Sequence, residues 1–202
     1  VLDFHGAELK TEFLETFNTT NSSYTHPTSA KRSADLMKFK SIWTQIANRF
    51  IDHPAELIFE IVNEPYFELN DDEMDFINLM IIDVIRSTGG NNSNRSIIIT
   101  GGGANSYQAP STIGDEVLNY DANLIASFHY YIPFNFTASS QEQYNDFNWG
   151  TNADKSTLDS HFDFVKNWSE TNNIPVTLGE FAADNESGYN YNTGLYGNNG
   201  GP

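Results

Sequence analysis

Two glutamates of this 202-residue chain each close a short apolar run: Leu57 to Val62 leads into Asn63-Glu64, and Pro175 to Leu178 leads into Gly179-Glu180. A carboxylate at the end of a buried segment is unfavourable unless it is paired or put to use. Three further runs end in the same way, in His5, in Gly101-Gly102-Gly103 and in His129-Tyr130-Tyr131. One such residue alone is an ordinary solvated strand end. Taken together, His5, Asn63, Glu64, His129, Tyr131 and Glu180 form a set that chance explains poorly. Cleavage of a glycosidic bond needs two carboxyl groups, one protonated to assist the departing oxygen and one ionised to meet the positive charge at the anomeric carbon. Glu64 and Glu180 can supply that pair. Residues two apart on a strand share a face, so His129 and Tyr131 point together.

The elements that must carry these residues follow from periodicity. Candidate strands are Val1 to His5, Leu57 to Asn63, Ser96 to Gly101, Leu124 to Tyr131 and Val176 to Glu180, each apolar enough to be buried on both faces. Between them lie helical patterns. Leu36, Phe39, Ile42, Trp43, Ile46 and Phe50 recur at spacings of three and four; a second helix runs from about Asp72 to the Gly89-Gly90 stop; a third carries Leu158, Phe162, Val165 and Trp168. Trp43 and Trp168 read as core. Thr19 to Arg32, Phe136 to Asp154 and Asn185 to Pro202 are polar and breaker-rich, and read as loops. Strand-helix alternation of this kind predicts an α/β fold with a parallel sheet, whose strand C-termini share one rim.

Residues 1–202 read as a single domain. A net charge of −17 and a pI near 4.3 disfavour nucleic acid, anionic membranes and anionic polysaccharides as partners, and suit a neutral substrate. Aromatic residues make up 14% of the chain, enough for platforms that stack on sugar rings as well as for a core. Trp149 stands outside any helical period and is the best candidate platform, with packing of its own loop as the alternative; Tyr107 and Phe136 are weaker ones. No cysteine is present, which removes thiol chemistry and disulfides. No run approaches the roughly 18 apolar residues of a membrane span, and no basic-then-apolar leader opens the sequence. Gly101-Gly102-Gly103 lacks the arrangement of a nucleotide-binding loop. A zinc site built from His5, His26 and His129 lacks helical or hairpin ligand spacing, so neither metal nor cofactor is expected.

The motifs FEIVNEP (Phe59 to Pro65), FHYYIPFNFT (Phe128 to Thr137) and LGEF (Leu178 to Phe181), with the helical segment IWTQIANRF (Ile42 to Phe50), resemble glycoside hydrolase family 5, the cellulase family of (β/α)8 barrels. The resemblance extends over most of the chain. It implies a retaining hydrolase with Glu64 as general acid/base and Glu180 as nucleophile. It further implies that Asn63 contacts the sugar 2-hydroxyl, that Tyr131 hydrogen-bonds the nucleophile, and that His129 and His5 line the sugar site. A β-1,4-glucan is the implied substrate, with mannan, xyloglucan and β-1,3-glucan as alternatives on the same scaffold. A monomer, secreted or periplasmic, is the corresponding expectation.

The sequence departs from the family locally at Gly6, Ala138 and Ala182, which bears on fine specificity. It also departs in extent: numbered by the family it runs from barrel strand 3 to just past strand 7, so strands 1, 2 and 8 are missing from it. The expected fold is therefore a partial TIM barrel, strands 3 to 7 with their helices, weak or inactive in isolation. A non-catalytic carbohydrate-binding fragment and a transglycosylase are the rival functional readings.

Overall fold

The computed structural model describes residues 1–5, 30–65, 70–102, 106–137, 149–182, 189–190 and 195–196. Five parallel strands form one sheet in sequential order: β1 (Leu2–Asp3), β2 (Phe59–Glu60), β3 (Ile97–Ile99), β4 (Leu124–Tyr130) and β5 (Val176–Phe181). The first three ladders are shorter than the apolar runs suggest. Single bonds extend the contact, however: Ile61 N–H donates to Ile98 O at 3.2 Å and Asn63 N–H to Phe4 O at 3.1 Å.

Helix α1 (Ala30–Arg49) joins β1 to β2, α2 (Asp71–Ser87) joins β2 to β3, and α3 (Asp115–Leu118) lies before β4. A helical turn, α4 (Phe134–Thr137), follows β4, and α5 (Asn152–Asn172) precedes β5. The helix boundaries have local causes. Asn70 caps α2 by accepting from Glu73 N–H at 2.9 Å, and Asp71, Asp72 and Glu73 place negative charge against the positive end of the helix dipole. Thr151 and Asp154 close a capping box at the start of α5, which ends where Asn173 turns left-handed at φ 53°.

The loop expectations need correction at their edges. Residues 30–32 already belong to α1; Phe136 and Thr137 sit in α4; α5 begins at Asn152; and Tyr189–Asn190 (β6) pairs antiparallel with Leu195–Tyr196 (β7). Helix caps and a two-residue ladder are weak signals against a polar background, which is why composition alone misplaces them. Residues 19–29 (with His26), 138–148 (with Ala138), 185–188, 191–194 and 197–202 of those segments, and Gly6 and Gly103, lie outside the described residues.

Right-handed crossovers between strands in sequential order put every helix on one face of the sheet. That face carries the core: Phe4, Phe59, Ile61, Ile97, Ile99, Leu124 and Ala126 pack with Phe39, Trp43 and Ala47 of α1 and Met74, Ile77 and Ile81 of α2. Trp43 is fully buried, as its helical period predicts, and its indole N–H donates to Ile61 O at 3.1 Å. Trp168 is partly buried against the same core. Arg95 is buried beneath β2, where it donates to the carbonyls of Phe50, His53, Pro54 and Leu57 and to Asn92 Oδ1, its guanidinium 4.8 Å from the Phe59 ring centre. One side chain thus ties the chain segment after α1 to the strand that leads into Glu64.

Candidate active site

The face opposite the helices is polar where the helix face is apolar. Along β4 the alternation is clean: Phe128 and Tyr130 pack with Leu158, Val165 and Leu178 on the helix side, while Ser127 and His129 point the other way. Tyr131 shares their face and places its hydroxyl on Glu180 Oε2 at 2.7 Å. His129, 5% exposed, sets Nδ1 2.8 Å from Glu64 Oε1 and 3.6 Å from Glu180 Oε2. One donor or acceptor atom from each of Glu64, His129 and Glu180 lies within 4.8 Å of the other two. His5 Nε2 stands 3.8 Å from Glu180 Oε1 and 3.5 Å from the amide of buried Asn63. The parallel strand ends therefore bring His5, Asn63, Glu64, His129, Tyr131 and Glu180 to one rim.

Two local distortions aim the carboxylates. Glu64 has φ 43°, in the left-handed region, a conformation that raises the energy of a residue with a side chain by about 1–2 kcal/mol. Strain of that kind persists where surrounding contacts over-determine it; here the bond to His129 and the tethered Asn63 N–H hold the turn. The second distortion is in the β4–β5 ladder, where Phe128 pairs with Leu178 but His129 pairs with Glu180. Gly179 is the extra residue of a β-bulge. Without it Glu180, two residues after outward-facing Leu178, would also face the helices.

Charge is concentrated at this rim. Burial, the Glu180 hydrogen bond and the charges of Glu180 and Glu64 push the Tyr131 phenol up to about 12, so it stays a proton donor. Glu60 lies on β2 four residues before Glu64, and its carboxyl is raised by burial first and by Asp3 second. Glu60, Glu64, Thr100, Ser127 and His129 border a small gap.

Trp149 is not brought to this group. Its ring stacks on buried Phe136 at 5.9 Å, and both line an apolar cavity of about 290 Å³ with Tyr130, Leu158, Phe162 and Leu178 on the helix side of β4 and β5. Tyr107 stacks on His161 at 3.8 Å, also on the helix side, where Tyr130 reaches His161 Nδ1 at 3.0 Å. Asp3 is a site neighbour that sequence reasoning missed: its Oδ2 accepts from, or shares a proton with, His5 Nδ1 at 3.0 Å. Its place two residues before His5 was the available signal. Glu60, an acid inside an apolar run, carried a similar one.

The sequence matches the family model described as Cellulase (glycosyl hydrolase family 5) over residues 1–196. The chain belongs to glycosyl hydrolase family 5. Endoglucanase H of Acetivibrio thermocellus is 42% identical over 150 residues, which cover 74% of this chain and 15% of that protein. Endoglucanase B of Clostridium cellulovorans is 36% identical over 163 residues, 74% of this chain and 36% of that protein. Among solved structures, the endoglucanase Cel5A of Thermotoga maritima superposes with a TM-score of 0.70 at 29% identity, covering 90% of this chain and 53% of that one. Crystal structures of the same enzyme in complex with cellobiose and with mannotriose superpose at TM-scores of 0.72 and 0.70, each at 27% identity. The chain thus spans about half the length of its solved family 5 relative, and well under half of the two curated ones. Its five parallel strands and helices form the corresponding part of the (β/α)8 barrel.

Proposed function

We propose that this chain carries the catalytic pair of a retaining glycoside hydrolase that cleaves β-1,4-glucan. The single observation that supports the reading most is the convergence of Glu64 and Glu180, 116 positions apart in sequence, on one histidine at the C-terminal rim of a parallel sheet. Retaining enzymes hold their carboxyl groups about 5–5.5 Å apart, whereas inverting ones leave about 6.5–9.5 Å for a water; one oxygen of each glutamate lies within 4.8 Å of one of the other's, a close approach that favours the former.

In the first step a Glu180 oxygen bonds to the anomeric carbon as the glycosidic C–O bond breaks. The electron pair leaves with the departing oxygen, which takes the proton from Glu64. In the second, Glu64 takes a proton from water, the water oxygen bonds to the anomeric carbon, and the ester to Glu180 breaks. Tyr131 aims Glu180 throughout, and Asn63 grips the 2-hydroxyl more tightly in the transition state. The net charge of −17 suits a neutral glucan better than an anionic polymer. The cellobiose complex of the Thermotoga maritima relative supports the glucan reading; its mannotriose complex supports β-mannan as the second substrate class.

A closed barrel of this class uses eight strands, so the assay takes a domain completed to the length of the solved relative. Its products from carboxymethyl-cellulose, mannan, xyloglucan and β-1,3-glucan are read by reducing ends and by anomeric proton NMR. The expected result is hydrolysis of the β-1,4-glucan with β-configured first products, abolished by Glu180→Ala. Inverted products, or glucan binding without turnover in wild type and variant alike, would defeat the proposal.

A further inference from the structure

We infer that Gly179 is a positioning residue for the reaction proposed above: its missing side chain makes the space in which the His129 ring holds Glu64. In a bulge the extra residue and its successor turn toward the same side, so Gly179 faces the site beside Glu180. A methyl group built there would stand 2.8 Å from His129 Nε2, 3.0 Å from His129 Cδ2 and 3.1 Å from Ser127 Oγ. The φ of Gly179 lies outside the left-handed region, so glycine is needed for space, not for backbone freedom. Ser127 can turn its hydroxyl away. The imidazole cannot yield so easily, because the other edge of the ring is engaged by Glu64 at 2.8 Å, with Glu180 at 3.6 Å, and the residue is 5% exposed. An alanine therefore moves the ring, and the ring moves Glu64. Glu180 lies on the bulged strand itself and keeps its bond to Tyr131.

The inference rests on the acid/base reading of Glu64, and the test separates the two. In the completed domain, kcat/KM reports the first step. For a cello-oligosaccharide, whose leaving group needs a proton, Gly179→Ala is expected to lower kcat/KM on the order of 10- to 100-fold, the scale of a sub-ångström to 1 Å misplacement. For a dinitrophenyl cellobioside, whose leaving group needs none, the loss is expected to stay within about threefold. Gly179→Ala should add nothing in the His129→Ala background on either substrate. Equal losses on both substrates, or losses that multiply in the double variant, would overturn the inference. Imidazole nitrogen NMR of His129 gives a readout independent of turnover: its signals should shift in Gly179→Ala, and unchanged signals would sink the idea even if the enzymatic reading stood. If Gly179→Ala alone does not fold, the double variant should, since the colliding ring is gone; a double variant that also fails to fold contradicts the argument.

Discussion

Replacing Tyr131 by Phe removes one hydroxyl and leaves the ring in place. That hydroxyl donates to Glu180 Oε2 at 2.7 Å, whereas His129 and His5 approach the same carboxylate only to 3.6 and 3.8 Å. Tyr131 is thus the donor within hydrogen-bonding distance of Glu180 among the described residues. A hydrogen bond to a charged partner contributes about 1.5–3 kcal/mol, which corresponds to about 10- to 150-fold in rate. The Glu180 side chain is 29% exposed, so water replaces part of the lost bond, and the lower end, about 10- to 30-fold in kcat/KM, is the working value. The assay is a pH profile of kcat/KM on a cello-oligosaccharide. Because burial and the neighbouring carboxylates push the phenol up to about 12, it keeps its proton on the alkaline side. The ratio of wild type to variant should then stay constant up to the edge of that range. A loss below about twofold, or a ratio that collapses at mildly alkaline pH, would refute the reasoning that a neutral phenol aims an ionised nucleophile.

Two further expectations concern the scaffold. Arg95→Leu removes one donor from each of the carbonyls of Phe50, His53, Pro54 and Leu57, of which Phe50, His53 and Pro54 each keep another, and should destabilise the domain by about 1–3 kcal/mol, read by urea denaturation; a loss under about 0.5 kcal/mol contradicts the strut assigned to it. Asp75→Asn should do the opposite. Asp75 is buried on α2, its Oδ2 accepts from Gly114 N–H at 2.9 Å, its Oδ1 lacks a partner among the described residues, and burial raises its carboxyl pKa. A raised folded-state pKa means stability that is complete below the ordinary carboxylate range and lost as pH rises through the folded value. The amide should therefore raise the melting temperature at neutral pH by about 2–4 °C and confer nothing in acid. An equal gain at both pH values would point away from titration.

Much of this fold was legible because buried strands and amphipathic helices write themselves into apolar periodicity. Phe39, Trp43 and Phe50 mark α1 and the turn after it, and the sheet order follows from strand-helix alternation. The convergence of Glu64 and Glu180 was legible for a simpler reason, that parallel strands end at one rim. What stayed hidden depends on departures from period. Alternation alone turns Glu180 toward the helices beside Leu178, and only the one-residue slip at Gly179 turns it back. The left-handed turn at Glu64 follows from contacts across 65 residues, not from its neighbours in sequence. For Trp149, a loop position outside any helical period left a sugar platform and packing of its own loop both open, and the ring lies on Phe136 beside an apolar cavity on the helix side.

The central assertion, that Glu180 attacks the sugar while Glu64 shuttles the proton, is tested most directly by trapping. A completed domain is incubated with an activated 2-deoxy-2-fluoro cellobioside, which forms the covalent intermediate but hydrolyses it slowly, and the labelled peptide is sequenced by mass spectrometry. The account requires one sugar equivalent per protein, attached to Glu180 and absent from Glu180→Ala. A label on Glu64 or on any other carboxylate, or no label on an enzyme that turns over the parent substrate, would contradict it.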